Sequence, residues 1–246
     1  NFFIKKERVA DFCEKLIRRQ LNLKWDAGAH AALLLKAFDK ETLSLVKESG
    51  CAQIYIGAET GSDDMLTAME KKSTVKDTYD FVRLMKEVGV KPFLSTMICF
   101  PGTKERDAMD TIGMILKSRE IAPELGCRIF FYTPYPGTKM YEDALKQGMI
   151  EPASLEEWAS HTLRKFHAPW ISKKTRVFLR SFMAYYFPFS IEPTESKNPI
   201  KNIAKKIFHK IASWRVKNRI YALPLDAMFV TRYMSKHDDV ISDYEI

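Results

Sequence analysis

The sequence predicts an α/β fold carried by a parallel sheet, on three observations. Short segments rich in Val, Ile, Phe and Tyr alternate with stretches whose apolar residues recur at helical spacing. The strand starts fall roughly 30 to 40 residues apart, and the strands run out into loops built from Gly, Pro, Ser and Thr. That spacing is the length of a βα unit, and a parallel connection needs a crossover helix. Four such strands are visible, too few to close a barrel. A TIM-like barrel lacking its first units and an open doubly wound sheet both satisfy the pattern. No GxGxxG or GxxxxGK[ST] loop follows any strand, so the usual nucleotide-binding fingerprints are absent.

The elements follow in order. Lys5–Gln20 places Val9, Phe12, Cys13, Leu16 and Ile17 on one helical face, and Leu23–Ala29 reads as a strand. Asp39 can cap a helix that runs through Val46 and stops at Gly50. Gln53–Ala58 is a β-branched, aromatic strand, and Ser73 or Thr74 opens the next helix, with Tyr79, Val82 and Met85 on its inner face. Val90–Phe100 and Arg128–Thr133 are further strands, separated by a helix from about Lys104 to Arg119. The strand rhythm stops near Met149, which divides the chain into a barrel part (1–150) and a helical, basic C-terminal extension (151–246). In the extension, Glu151–Tyr186 is helical, Phe187–Pro199 is a turn-rich linker and Ile200–Trp214 is amphipathic. That last segment sets Ile203, Ile207, Phe208, Ala212 and Trp214 opposite a lysine face.

Composition narrows the classes. An apolar fraction of 46% over 246 residues suffices for a substantial core, and no run of about 18 uncharged apolar residues appears. The opening Asn1-Phe2-Phe3 has neither a basic leader nor a cleavage site and reads as a chain entered in mid-domain. The cysteines (Cys13, Cys51, Cys99, Cys127) lie too far apart for a local metal site and read as reduced thiols. No metal ligands are therefore assigned. The basic excess is concentrated in the tail: residues 151–246 hold 16 Lys/Arg against 10 Asp/Glu, residues 1–150 hold 23 against 21.

Three loops sit where parallel α/β architectures bind ligands, at the carboxyl ends of strands. In Gly57–Ser62 a glycine permits close approach of a ligand, Glu59 can accept from a ribose hydroxyl or an ammonium, and Ser62 can cap the next helix. In Met97–Thr103 an apolar strand breaks at Pro101-Gly102, where backbone groups can meet an adenine edge. In Tyr132–Thr138 two prolines fix an extended segment that Gly137-Thr138 turns into a helix. Each loop alone also fits an ordinary connection.

Taken together, GAETGSDDML, ICFPGT and YTPYPGT resemble the successive strand-end motifs of radical S-adenosylmethionine (SAM) enzymes, especially the branch that carries an N-terminal cobalamin-binding domain. KWDAGAHAALL and the opening NFF are similar to that family's preceding segments; WRVKNRIYALP in the tail is similar to family tails but less diagnostic. The resemblance implies a partial TIM-like (β/α)6 radical SAM barrel lacking its first unit or units, with a helical C-terminal extension. It implies a [4Fe–4S] cluster held by a CxxxCxxC loop. The cluster reduces S-adenosylmethionine to a 5′-deoxyadenosyl radical, and cobalamin can join as a further cofactor for methyl transfer or rearrangement. No CxxxCxxC occurs in these residues, so the cluster ligands are expected from sequence outside them, and the fragment alone is expected to be inactive.

By position, the resemblance implies that Gly57, Glu59 and Thr60 face the ribose and methionine parts of the cofactor. Ile98, Phe100, Pro101 and Gly102 would cradle adenine. Tyr132, Pro134 and Gly137 would stand near adenine or the substrate mouth. His30, where the family often has Arg, is a candidate substrate contact; Cys99 stands where Gly is usual and Thr103 where Glu is common. The implied partners are a small-molecule or lipid-like substrate and an external electron donor. The basic helix Lys201–Arg219 suggests peripheral contact with a membrane. A cytoplasmic location, peripheral to the inner membrane face, fits these expectations. Nucleic acid is disfavoured because no recognised module supports it. Two other readings remain: a non-catalytic barrel-derived module that binds a partner or membrane through its tail, and an unrelated α/β barrel for a phosphorylated metabolite.

Overall fold

The structure, a computed structural model, describes residues 1–103, 105–160, 168–190, 199–221 and 223–234. Its contacts divide the chain into two units, 1–132 and 133–246.

The first unit is a run of βα units. It comprises α1 (Lys6–Arg18), β1 (Trp25–Ala29), α2 (Ala31–Ala37), α3 (Lys40–Glu48), β2 (Cys51–Glu59), α4 (Asp63–Ala68), α5 (Val75–Val88), β3 (Lys91–Ile98), α6 (Glu105–Ile121) and β4 (Gly126–Phe131). The strands are parallel and lie in the order β1-β2-β3-β4, so each crossover returns to the neighbouring position as in part of a TIM-like barrel. Phe2 N donates to Gly28 O at 3.0 Å, which lays the opening segment along the outer side of β1. Helix starts are set locally. Asp39 accepts from Thr42 N and also pairs with Lys6; Thr74 and Asp77 form a reciprocal capping box.

Alternation along the strands gives the sheet two different faces. Ile54, Ile56, Ala58, Leu94, Ile98 and Ile129 are buried; with Val46, Phe81, Val82 and Met85 from the helices, several of them form the apolar core. The other face carries lateral rows fixed by register. One row reads Gly28, Tyr55, Phe93, Gly126; the next reads Gly57, Ser95, Arg128. A Cβ on Gly28 would lie 2.8 Å from Tyr55 Cε2, and one on Gly126 would lie 2.5 Å from Phe93 Cδ2. The two central rings thus spread over glycines on the outer strands.

The second unit is helical: α7 (Lys139–Lys146), α8 (Leu155–Ser160), α9 (Lys173–Ser181), a π-helical turn (Phe182–Tyr186), α10 (Phe187–Ser190), α11 (Pro199–Asn218) and α12 (Leu225–Met234). The division at 132/133 falls earlier than the end of the strand rhythm near 150. The helix after β4 makes its contacts onward: Tyr141 donates to Glu151 at 2.6 Å and stacks on Trp158. The turn-rich linker expected from Phe187 begins as helix instead. Pro188 has no N–H for the Ala184 carbonyl, and the chain answers with a widened turn in which Phe187 N bonds to Phe182 O. The rest of that linker, 191–198, lies outside the described residues.

Aromatic rings pack this unit, and one ion pair lies among them. Arg215 Nε is 2.9 Å from Asp226 Oδ2, with 15% and 10% of the two side chains exposed. The guanidinium also sits 5.9 Å from the Tyr186 ring. Burial, then the charge of Asp226, pushes the Tyr186 hydroxyl up to about 12. Among the described residues no helix is long and apolar enough to cross a membrane. Removing one member of a buried pair strands the other. Asp226→Ala is therefore expected to destabilise the helical unit by about 3–5 kcal/mol in urea unfolding, and Arg215→Met with Asp226→Leu by much less. Equal losses for both would show that the charge pairing is immaterial.

Candidate functional site

The loop after β2 is built by two close approaches. A bulge between Gly57 and Glu59 shifts the register against β3, and Glu59 takes a left-handed backbone, φ +58°. Its carboxylate curls back over Gly57, so that a Cβ on Gly57 would lie 2.5 Å from Glu59 Oε1. Lys71 Nζ holds that oxygen at 2.6 Å, the Glu59 side chain being 15% exposed. Gly61 then runs against α6, where a Cβ would collide with the Asp110 carbonyl and approach Thr111 Cα to 2.7 Å. Thr111 Oγ1 accepts from Gly61 N at 2.9 Å and lies 3.1 Å from the hydroxyl of buried Thr60. Ser62 caps α4 through Met65 N.

At the end of β3, Cys99 is also left-handed, φ +66°, and buried. The next four residues turn back sharply: Pro101 is followed by Gly102 at φ +76°, and Thr103 N donates to Phe100 O at 3.2 Å, as in a type II turn. Thr103 spends its hydroxyl on the same carbonyl, at 2.6 Å. Tyr132 N donates to Ile98 O at 2.8 Å, and the Phe100 and Tyr132 rings lie 4.9 Å apart. The carbonyls of Ile98 and Phe100 are thus engaged within the protein.

Gly57, Glu59, Thr60, Ile98, Phe100, Pro101, Gly102 and Tyr132 therefore share the carboxyl ends of three adjacent strands in one unit. Residues 8–115 match the radical SAM superfamily, a stretch that runs from α1 into α6 and includes the β2 and β3 loops. The match lies wholly within the N-terminal unit and covers 108 of its 132 residues.

Similarity to individual proteins is lower. The chain is 25% identical over 192 residues to an uncharacterized methyltransferase of Pyrococcus horikoshii, covering 75% of this chain and 39% of that protein. It is 23% identical over 141 residues to the anaerobic magnesium-protoporphyrin IX monomethyl ester cyclase of Rubrivivax gelatinosus, covering 57% and 24%. In fold it is similar to the cobalamin-dependent S-adenosylmethionine radical enzyme OxsB, with a TM-score of 0.58 at 13% identity, covering 94% of this chain and 40% of that one. The chain thus spans two-fifths or less of the length of each of these proteins.

Other candidates fall elsewhere. Pro134 (buried) and Gly137 (φ +83°) belong to the second unit, where Thr138 Oγ1 donates to Tyr135 O at 3.0 Å and caps α7. This repeats the aromatic-Pro-Gly-Thr turn of 100–103. His30 follows β1 and opens α2; its Nδ1 is buried and has no hydrogen-bond partner among the described residues. His161, His167 and His237 lie outside the described residues. Lys71 and Thr111, which hold the β2 loop in place, carry no motif that would have flagged them. Arg128, exposed on the open sheet face beside Ser95, had a weak hint in the strand alternation.

No three His, Cys, Asp or Glu side chains come together as a metal site among the described residues. All four cysteines are free. Burial pushes the Cys51 and Cys127 thiols up to about 12 and raises Cys13 as well, so these three are protonated at neutral pH. A thiol reagent at pH 8 is expected to reach Cys13 and Cys51, both buried, only on unfolding; fast reaction of these two in the folded chain would contradict their setting. Because Gly61 abuts helix backbone, Gly61→Ala should cost about 2 kcal/mol or more in denaturant unfolding. At position 99, Val should be destabilising by about 1–3 kcal/mol and Gly nearly neutral. The reverse order would mean that the left-handed backbone carries no strain.

Proposed function

We propose that this chain supplies the S-adenosylmethionine-facing part of a radical SAM enzyme, with the β2 and β3 loops as its cofactor cradle. The observation that carries this is the pairing of two non-glycine residues, Glu59 and Cys99, in left-handed backbone at the ends of adjacent strands. Such conformations cost of order 1–3 kcal/mol each and persist where surrounding structure over-determines them, typically at ligand-binding sites. Gly57 fits the same reading, since any side chain there would displace the Glu59 carboxylate. Glu59 would accept from a ribose hydroxyl or an ammonium, with Lys71 holding its geometry. The Phe100–Tyr132 ring pair would wall the adenine side, with Pro101 and Gly102 shaping the turn. The buried, unpartnered Nδ1 of His30 supports a substrate-side contact at the end of β1.

Bound S-adenosylmethionine would supply a 5′-deoxyadenosyl radical once reduced by a [4Fe–4S] cluster. This chain's residues do not fit that cluster: its cysteines are scattered along the sequence, and no three His, Cys, Asp or Glu side chains come together among the described residues. The ligands would come from sequence outside these 246 residues, as would the route for an external electron donor. Cobalamin-dependent methyl transfer to a small-molecule or lipid-like substrate is the preferred outcome, supported by the methyltransferase relative and the OxsB-like fold. A non-catalytic module built on the same barrel is the alternative.

Two measurements separate them. Anaerobic iron–sulfide reconstitution of this chain should yield no stable [4Fe–4S] absorbance; stoichiometric uptake would refute the assignment of its ligands elsewhere. Saturable binding of S-adenosylmethionine, read by calorimetry, should weaken about tenfold in Glu59→Ala and more in Gly57→Val, a tenfold loss being about 1.4 kcal/mol. Absence of binding, or equal binding by all three proteins, would leave the non-catalytic module.

A further inference from the structure

α11 carries a wider apolar arc than its packing uses. Of the apolar residues that the sequence sets opposite the lysine face, only some are covered. Ala212 and Val216 are buried, whereas Ile203, Ile207 and Trp214 are 61%, 53% and 56% exposed. At 100° per residue these three fall within about 40° of one another, a stripe about 17 Å long. Lys206, Lys210 and Lys217, all exposed, follow one edge of it. No Asp or Glu occurs from residue 196 to 225.

The apolar surface continues past the helix and is held rigidly. Ile220 and Leu223 are 42% and 78% exposed, yet Arg215 donates to both of their carbonyls, at 3.2 and 3.1 Å. The same guanidinium is anchored by Asp226, so Ile220 and Leu223 are held by their carbonyls while their side chains stay exposed. On α12, Met228 and Phe229 are 61% and 63% exposed, and Phe229 stacks on Phe208 of α11 at 6.0 Å. Patches of this kind mark interaction surfaces.

We propose that α11, with Ile220, Leu223, Met228 and Phe229, forms a docking face for an anionic lipid bilayer, with the helix lying in the plane of the interface. The charge pattern selects this occupant. An apolar stripe edged by lysines, with a tryptophan on its apolar side and no Asp or Glu from 196 to 225, matches the headgroup boundary: Ile and Leu side chains enter the acyl region, Trp214 sits at its edge, and lysine stems reach up to lipid phosphates. A basic surface on another protein would be expected to meet acidic side chains on this face, and no Asp or Glu is present from 196 to 225. The proposal does not rest on the cofactor reading. Either can fail alone.

The test is cosedimentation of the 246-residue chain with vesicles of phosphatidylcholine and with vesicles of phosphatidylcholine and phosphatidylglycerol in equal parts. Binding should be at least tenfold tighter to the anionic vesicles and should weaken with added salt. The triple change Lys206→Glu, Lys210→Glu, Lys217→Glu should abolish that preference, and Ile207→Ser with Trp214→Ser should abolish binding, each at an unchanged thermal midpoint. With brominated acyl chains, Trp214→Phe should keep binding but lose the quenched part of the tryptophan emission, a readout independent of the disruptive variants. Equal binding to both vesicle types, no binding, or undiminished binding by the charge-reversal variant would overturn the proposal. Self-association that the Ser variants suppress, without vesicle binding, would assign the face to a second copy of the chain and overturn it as well.

Discussion

The geometry of the candidate site depends on one contact, the approach of Gly61 to the backbone of α6 at Asp110 and Thr111. It joins the loop after β2 to the helix that follows β3, elements that chain connectivity leaves free to move against each other. Thr111 makes the joint specific. Its hydroxyl donates to Asp107 O, accepts from Gly61 N and meets Thr60, so one buried side chain serves helix and loop together. With that joint fixed, the bulge at Gly57–Glu59 has one way to resolve, and the Glu59 carboxylate is directed back over the strand rather than into solvent. A larger residue at 61 would move the whole loop, and with it the carboxylate.

What was legible in the sequence is what local physics decides. Asp39, Ser62 and Thr74 were recognisable at helix starts because each cap is closed within four residues, and the Pro-Gly turns because their dihedrals are imposed by two adjacent residues. Strand–helix alternation gave the parallel sheet for the same reason: periodicity is a property of a short window. The site motifs were placed at strand ends by that rhythm alone, although which side chains converge there was not readable from it.

What was not legible depends on partners distant in the chain. Gly28 and Gly126 look like weak points in short strands until register sets them beside Tyr55 and Phe93. Lys71 is one of two adjacent lysines, and only the fold brings it to Glu59, twelve residues back. The left-handed backbone at Cys99 cannot be read from its identity, since cysteine ordinarily avoids that region; the resemblance to a position usually held by Gly was a hint of it, and the φ of +66° supplies its cause. In the tail, the amphipathic arc of α11 was legible, but periodicity does not report how much of the arc a neighbour covers, so the exposure of Ile203, Ile207 and Trp214 was not.

The two units also place their strain and polarity differently, and this bears on where function can reside. In the first, the polar groups at the strand ends are bonded tightly among themselves: Glu59 to Lys71, Thr60 to Thr111, Phe100 O to Thr103. The remaining strain is in backbone dihedrals directly at the loops. A ligand there meets a site that is already organised, so little of its binding energy goes into ordering the protein. In the second, the buried charges of Arg215 and Asp226 hold the carbonyls of Ile220 and Leu223, whose apolar side chains are exposed. Rigidity costs such a loop nothing when it docks on a surface, whereas a mobile apolar loop would lose conformational freedom on every encounter. Preorganisation thus appears twice in the chain, once around a carboxylate and once beneath an apolar edge, and in each case a single buried polar side chain, Thr111 or Arg215, holds the backbone that presents it.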